Sequence, residues 1–462
     1  MTRWLRLLIA VLVIAALVVV LIVVRRAGEN ELPAGPVDSS SDRVSMLDIP
    51  WESITEILVE HPDDRLVLTA DANATFVPEY RYDVLFSDSR ISRVIGSFTS
   101  LMSERMIDEQ PEALQPYGLS EPAVRVTATL SDADPVTVLV GSRTPGGDAY
   151  YVQTSRSATV YSVSSLWISP FFYSIDDLRD KTVPQLNPQT LEEIEIRTVA
   201  GRTVRATTMA EDDEDPEMSL AAMAITEPYS RRYQVSPTWI DSVMEALPSV
   251  GILRYVDDDP QELQSYGLDP ARAGLRVRDV DNELHLILGE ATSDGRYGRF
   301  ADGGSVFVVR GVEELISITP YETISPFMFI VNIDLVDSIV VESASDTYVA
   351  TIQRAPGESD DDDPVETFSL DGEELEDGVF RDLYQWLIGL QLDAEIREPA
   401  SGAPEVSITY HLNTGGPAVL LEFVPQNSNY YSVYRDGASE FVVTRTKIQR
   451  LLAALADPSS IE

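Results

Sequence analysis

The chain has 462 residues, with 34 Lys and Arg against 76 Asp and Glu, three His and no Cys, for a formal net charge of −42. Without thiols there is no zinc ribbon, disulfide scaffold, iron–sulfur centre or cysteine nucleophile, and so large an acid excess repels phosphate and excludes nucleic acid as a partner. The 44% apolar content is that of a folded chain, and the length predicts two or three domains.

Residues 1–28 read as a transmembrane signal anchor. Leu7 to Val24 is an unbroken apolar run of 18 residues, long enough with its flanks to cross a hydrocarbon core of about 30 Å. It exceeds a cleavable signal peptide, and Arg25–Arg26 occupy the place of a small-x-small cleavage site. Arg3 and Arg6 with the amino terminus slightly outweigh that pair, which predicts a single-pass protein of the inner membrane with its large domain outside the cytoplasm. Residues 29–45, rich in Pro, Gly and Ser, read as a flexible stalk. The anchor holds four Arg and no acid, leaving 30 bases against 76 acids in the remainder, and only Lys181 and Lys447 are lysines. Salt adaptation or a GC-rich genome accounts for that skew without a basic partner.

The body is duplicated. Pro111–Leu119 (PEALQPYGL) matches Pro260–Leu268 (PQELQSYGL) at six of nine positions. Downstream, Gly141 falls on Gly289, Tyr151 on Tyr297, and Ile168-Ser-Pro-Phe171 on Ile324-Ser-Pro-Phe327. An eroded third copy carries Tyr297 onto Tyr431 and Asp302-Gly303 onto Asp436-Gly437, without the Tyr-Gly-Leu turn. The expected units are residues 46–186, 187–331 and 332–462. Each is α+β, an antiparallel β-meander packed by one main helix, in tandem after the transmembrane helix.

The first unit opens with an alternating strand, Ile54–Val59, and a hairpin partner at Leu66–Leu68. Ile91, Val94, Ile95, Phe98 and Leu101 then fall at helical spacing. Its counterpart has Ser236 as N-cap, Pro237 at the first helical position, and Ile240, Val243, Met244 and Leu247 on one face. The third helix is read from Val379, Leu383, Trp386, Leu387 and Leu390. Strands at Val124–Leu130, Val136–Val140, Tyr150–Gln153 and Thr159–Val163 follow the first helix and turn.

The Tyr-Gly-Leu element reads as a helix stop, with the helical turn beginning at Pro260. Gly118 and Gly267 take the left-handed C′ position, and Leu119 and Leu268 pack back on Leu114 and Leu263. Tyr117 and Tyr266 either cover the sheet edge or form a ligand patch.

These features resemble the DUF4340 family of bacterial envelope proteins. The resemblance rests on the N-terminal anchor and on the turns Tyr117-Gly118-Leu119…Pro122 and Tyr266-Gly267-Leu268…Pro270. It rests also on the strands ending at Gly141 and Gly289, the Tyr151–Tyr161 hairpin, and Asp177-Leu-Arg-Asp-Lys181. It covers roughly residues 46 to 340. Genes of the family often lie beside transport ATPase and permease components like those of gliding-motility ABC systems. The resemblance therefore implies an accessory role on the outer face of such a complex.

No chemistry stands out. His61, His285 and His411 have no partner at metal-ligand spacing, and there is no nucleophile elbow, zinc-protease motif or phosphate loop. Gly146-Gly147 and Gly303-Gly304 read as hairpin turns. The acidic runs Glu211–Asp215, Asp257–Asp259 and Asp360–Asp363 lack calcium-loop spacing and read as solvated loops. No catalytic residue, metal or cofactor is expected. The aromatic runs containing Trp167, Phe171 and Phe172, and Phe327 and Phe329, either plug the junctions between units or form a partner surface. The expected function is a non-catalytic membrane-anchored scaffold or accessory subunit of an ABC-type transporter. The alternative is a module that binds an extracytoplasmic glycan or other polymer.

Overall fold

The computed structural model describes residues 43–460 apart from 72, 211–214, 216, 219–220 and 356–364. The anchor, most of the stalk and the acidic run Asp360–Asp363 therefore lie outside the described residues, as does most of Glu211–Asp215. Among the described residues, no helix is long and apolar enough to cross a membrane. The chain divides into two compact units, 1–179 and 180–462.

The first unit holds one antiparallel sheet. Its strands are β1 (Ile54–Glu60), β2 (Arg65–Ala70), β3 (Phe76–Pro78), β4 (Arg105–Asp108), β5 (Val124–Leu130), β6 (Val136–Arg143), β7 (Ala149–Thr154) and β8 (Ser157–Ser164). They lie in the order 3-2-1-5-6-7-8-4. Alternation fixes which face is buried: β5 hides Val124, Val126, Ala128 and Leu130 and exposes the residues between them. Helix α1 (Asp88–Thr99) follows β3 at one edge and leads to β4 at the other, so it lies across the sheet. Ile91, Val94 and Phe98 turn inward from α1 and join Ile57, Leu68, Val126, Val138 and Phe171 in one core.

The second unit repeats this strand order twice, each time with one more strand at the opening edge. Strands β9 (Leu191–Arg197), β10 (Thr203–Thr208), β11 (Met223–Glu227), β12 (Tyr233–Gln234), β13 (Gly251–Asp257), β14 (Ala273–Asp279), β15 (Glu283–Ala291), β16 (Arg296–Phe300) and β17 (Gly303–Arg310) run 12-11-10-9-14-15-16-17-13. Strands β18 (Val336–Ser343), β19 (Thr347–Ala355), β20 (Val365–Leu370), β21 (Glu373–Leu375), β22 (Ala394–Glu395), β23 (Val406–Leu412), β24 (Val419–Pro425), β25 (Tyr430–Arg435) and β26 (Ala438–Thr444) run 21-20-19-18-23-24-25-26-22. In all three sheets the opening strand pairs with the first meander strand, and the strand after the helix closes the far edge.

Helix α2 (Pro237–Ala246) starts as its sequence predicts: Ser236 Oγ accepts from the Trp239 amide at 3.4 Å, and Pro237 follows. Helix α3 (Asp377–Ile388) corrects the reading of its face. Phe380, Leu383, Tyr384 and Leu387 point inward, whereas Trp386 points out and is 38% exposed. Tyr384 belongs to that face because its hydroxyl donates to the Val331 carbonyl at 2.7 Å, which removes the penalty of burying it. The C-terminal helix α4 (Arg445–Ala456), absent from the sequence reading, buries Ile448, Leu451 and Leu455 in the same core.

The two sheets of the second unit share one continuous core. The linking segment Ile324–Phe329 is stitched at both ends. Ile324 bridges Val235, and Phe327 bridges Gln391 beyond α3. Phe329 is buried against Tyr410, with ring centroids 4.8 Å apart.

Candidate functional site: polar turns and two open grooves

The Tyr-Gly-Leu turns are Schellman motifs in detail. Leu119 N donates to Leu114 O at 3.1 Å and Gly118 N to Gln115 O at 3.1 Å, while Leu268 and Gly267 make the same bonds to Leu263 and Gln264 at 3.0 Å each. Gly118 and Gly267 have φ of +69° and +68°, the left-handed conformation that penalises a Cβ. The short helix preceding the second turn begins at Leu263 rather than Pro260, because only residues 263–266 make the tight helical bonds. Leu119 and Leu268 are buried, and Pro122 and Pro270 follow as the chain turns into the meander.

Each turn carries the same polar triad. Tyr117 donates its hydroxyl to Asp108 Oδ2 at 2.8 Å and packs edge-on against Tyr151 at 5.2 Å. Tyr266 donates to Asp257 Oδ2 at 3.0 Å and packs on Tyr297, also at 5.2 Å. Both phenols are held above their ordinary pKa, Tyr117 chiefly by its bond to Asp108 and Tyr266 chiefly by desolvation, with the bond to Asp257 next. The acids sit at the ends of β4 and β13, so the triad ties the closing edge strand to the turn. This corrects the reading of Asp257–Asp259 as merely solvated: Asp257 is bound to Tyr266, and Asp258 Oδ1 accepts from Ser305 Oγ at 2.6 Å.

The third sheet shows what replaces the missing turn. At Gly141 and Gly289 an added Cβ would lie 2.2 Å from Tyr117 O and 2.1 Å from Tyr266 O, so turn and glycine require each other. In the third sheet the strand register puts Val424 at that position, one residue past Phe423, which pairs with Val406. The ring of Tyr431 is covered instead by the Arg445 guanidinium at 4.4 Å, and Glu405 accepts from its hydroxyl at 2.8 Å.

The aromatic runs separate by residue. Phe171 and Phe329 are buried to within 1% and belong to the cores, which overturns a surface role for them. Phe327 is half-buried in the link to the third sheet. Trp167 and Phe172 remain 40% and 38% exposed. Phe172 leans on Tyr150 and His61, at 5.5 and 6.0 Å between ring centroids. Desolvation lowers the His61 pKa, against the opposing pull of Asp64.

Trp167 flanks a groove of about 780 Å³ in the first unit, between α1, the link Met102–Glu104 and the segment after β8. The third sheet has a groove of about 370 Å³ at the matching place, between α3, the link Leu390–Gln391 and the start of α4. Trp386, Gln385, Gln391, Lys447 and Arg450 line it, with Lys447 donating to Asp393 Oδ1 at 2.8 Å. The second sheet is closed there: a Cβ on Gly311 would sit 2.5 Å from Ser249 O, so the two segments meet backbone to backbone. These grooves were hidden in the sequence, since only the tertiary fold brings the helix link and the post-meander segment together. The outward Trp in an otherwise inward pattern was the available signal. Among the described residues, no group of three or more His, Asp or Glu could hold a metal ion.

Fold and site thus describe an antiparallel α+β protein with aromatic grooves on two of its three sheets. Residues 80–270 match the model of DUF4340, a domain of unknown function, so the chain contains a DUF4340 domain, as its turns suggested. The match runs from the approach to α1 through the first meander to the second Tyr-Gly-Leu turn. No curated protein and no solved structure matches the chain.

Proposed function

We propose that the protein is a non-catalytic, membrane-tethered scaffold, an accessory subunit of an ABC-type transport complex, built from three tandem copies of one sheet-and-helix unit. The tether is the apolar run Leu7–Val24, and the body lies outside the cytoplasm. The observation that carries this reading is where the exposed aromatics lie. Trp386 stands exposed at the groove of the third sheet, whereas the conspicuous polar triads are consumed in holding turns. Aromatic side chains at grooves are the usual anchors of protein contacts. Affinity purification of the full chain in mild detergent tests the proposal. Recovery of permease and ATPase subunits with the parent, and their loss with Trp386→Ala, supports it; a parent that recovers neither refutes the transporter assignment.

A second reading, a polymer-binding module, is favoured by the third-sheet groove alone. There a flat indole stands beside the amides of Gln385 and Gln391, a combination suited to sugar rings and hydroxyls. Retention of the parent, and not of Trp386→Ala, on immobilised envelope polysaccharide would favour it.

A further inference from the structure

The described chain begins at Arg43, and Arg43 is itself a wall of the first-unit groove. The entry point is pinned there: Val44 N donates to Ser103 Oγ at 3.0 Å, and Ser103 N returns a bond to Val44 O at 2.9 Å. Val44 itself is 45% exposed. Across the groove the segment Ser165–Ile168 forms a single helical turn that projects Leu166, 83% exposed, and Trp167. Ile168 and Phe171 are fully buried immediately behind, so the tip is held rigid from below. Arg43 and Arg93 line the groove against one carboxylate, Glu104, in a chain with more than twice as many acids as bases.

We propose that this groove and its Leu166–Trp167 tip are a membrane-contact surface, which seats on the headgroup layer of the bilayer that holds the tether. The inference rests on the tethered reading given above. Eighteen residues separate Val24 from Arg43, and a random coil of that length spans about 23 Å root-mean-square. The groove is therefore kept within reach of the surface at high effective concentration, and a weak affinity suffices. Indole and leucine at a projecting tip match the apolar–polar boundary of a bilayer, and the two arginines match lipid phosphate. The acidic remainder of the chain is repelled by anionic lipid, which adds to the preference for this face.

The cysteine-free chain permits a direct test. Full-length Leu166→Cys and Val77→Cys variants, labelled with an environment-sensitive fluorophore, are placed in phosphatidylglycerol–phosphatidylethanolamine nanodiscs carrying a headgroup nitroxide. Val77 is 49% exposed on β3, the opposite edge strand of the same sheet, about 34 Å from β4 at seven strand spacings. The Leu166 label is expected to shift blue and be quenched, and the Val77 label to be unaffected. Adding Arg93→Gln is expected to weaken the docking equilibrium read from the quenched fraction about fivefold, the effect of one arginine near an anionic surface. Equal quenching at both sites overturns the proposal. So does quenching at Leu166 only after purified permease is added, which would assign the tip to a protein partner. Alkaline-carbonate extraction of the same chain from membranes reports separately on the tether, so a chain that extracts overturns both readings and one that resists extraction isolates the groove.

Discussion

Gly141→Ala isolates the close approach on which the Tyr-Gly-Leu turn depends. Gly141 lies in β6 without a left-handed φ, so alanine there meets no backbone penalty and the whole effect is steric. Its Cβ would fall 2.2 Å from Tyr117 O and 3.1 Å from both Gly118 C and Leu119 Cδ2, whereas real side chains keep at least 3.0 Å. The turn must retreat by roughly 1 Å, and overpacking of this kind costs about 1–3 kcal/mol. Retreat also stretches the bond from Tyr117 to Asp108. The expected loss is about 2 kcal/mol, or roughly 7 °C in the midpoint of a domain this size. Gly147→Ala is the control: its φ is +78° with no atom within 4 Å, so it bears only a conformational cost of about 1 kcal/mol. Urea unfolding of the full chain followed by tryptophan fluorescence gives the two losses, and hydrogen exchange shows whether protection at Gly118 and Leu119 collapses in Gly141→Ala alone. If Gly141→Ala is no more destabilising than Gly147→Ala, the argument that glycine and turn require each other is wrong.

Phe171→Ala should lose about 3–5 kcal/mol because the ring is fully buried, while Trp167→Ala and Phe172→Ala, both partly exposed, should lose only about 1–2 kcal/mol in denaturant unfolding. Glu217→Ala should cost about 3 kcal/mol, since Glu217 is 4% exposed and sits 2.6 Å from Arg435 and 3.2 Å from Arg231, which would be left facing each other; thermal melts check this. Tyr233 is pushed up to about 12, chiefly by burial, and burial raises Tyr384 and Tyr410 further. Their folded pKa values exceed the unfolded value near 10, so the stability they confer is intact below pH 10 and falls as pH rises toward 12. Absorbance at the phenolate band should therefore show a tyrosine fraction that ionises only with unfolding, and a single titration step near pH 10 would refute it.

Much of this fold was legible locally. The strand Val124–Leu130 falls where its alternation placed it, because a half-buried strand must show period two. The turns at Gly118 and Gly267 were readable because a left-handed C′ residue leaves a nearly unique sequence mark. The closing edge strands β4, β13 and β22 were missed, because strands such as Arg105–Asp108 pair on one side only and carry no buried stripe. On helix α3 the reading placed Leu383, Leu387 and, just past its end, Leu390 correctly but took Trp386 for an inward residue in place of Tyr384, because the two are equally aromatic. Only the Val331 carbonyl, 53 residues away in sequence, gives the tyrosine hydroxyl a reason to be inside.

By itself the sequence determined the duplicated order of elements, the turn chemistry and an acidic, cysteine-free body, since each follows from local periodicity, backbone sterics or composition. The tertiary structure decided that Phe171 and Phe329 are core and Trp167 is rim, that Asp108 and Asp257 answer the turn tyrosines, and that grooves open on the first and third sheets while Gly311 closes the second. Those outcomes depend on which distant segments meet across a sheet, and no neighbour along the chain records that.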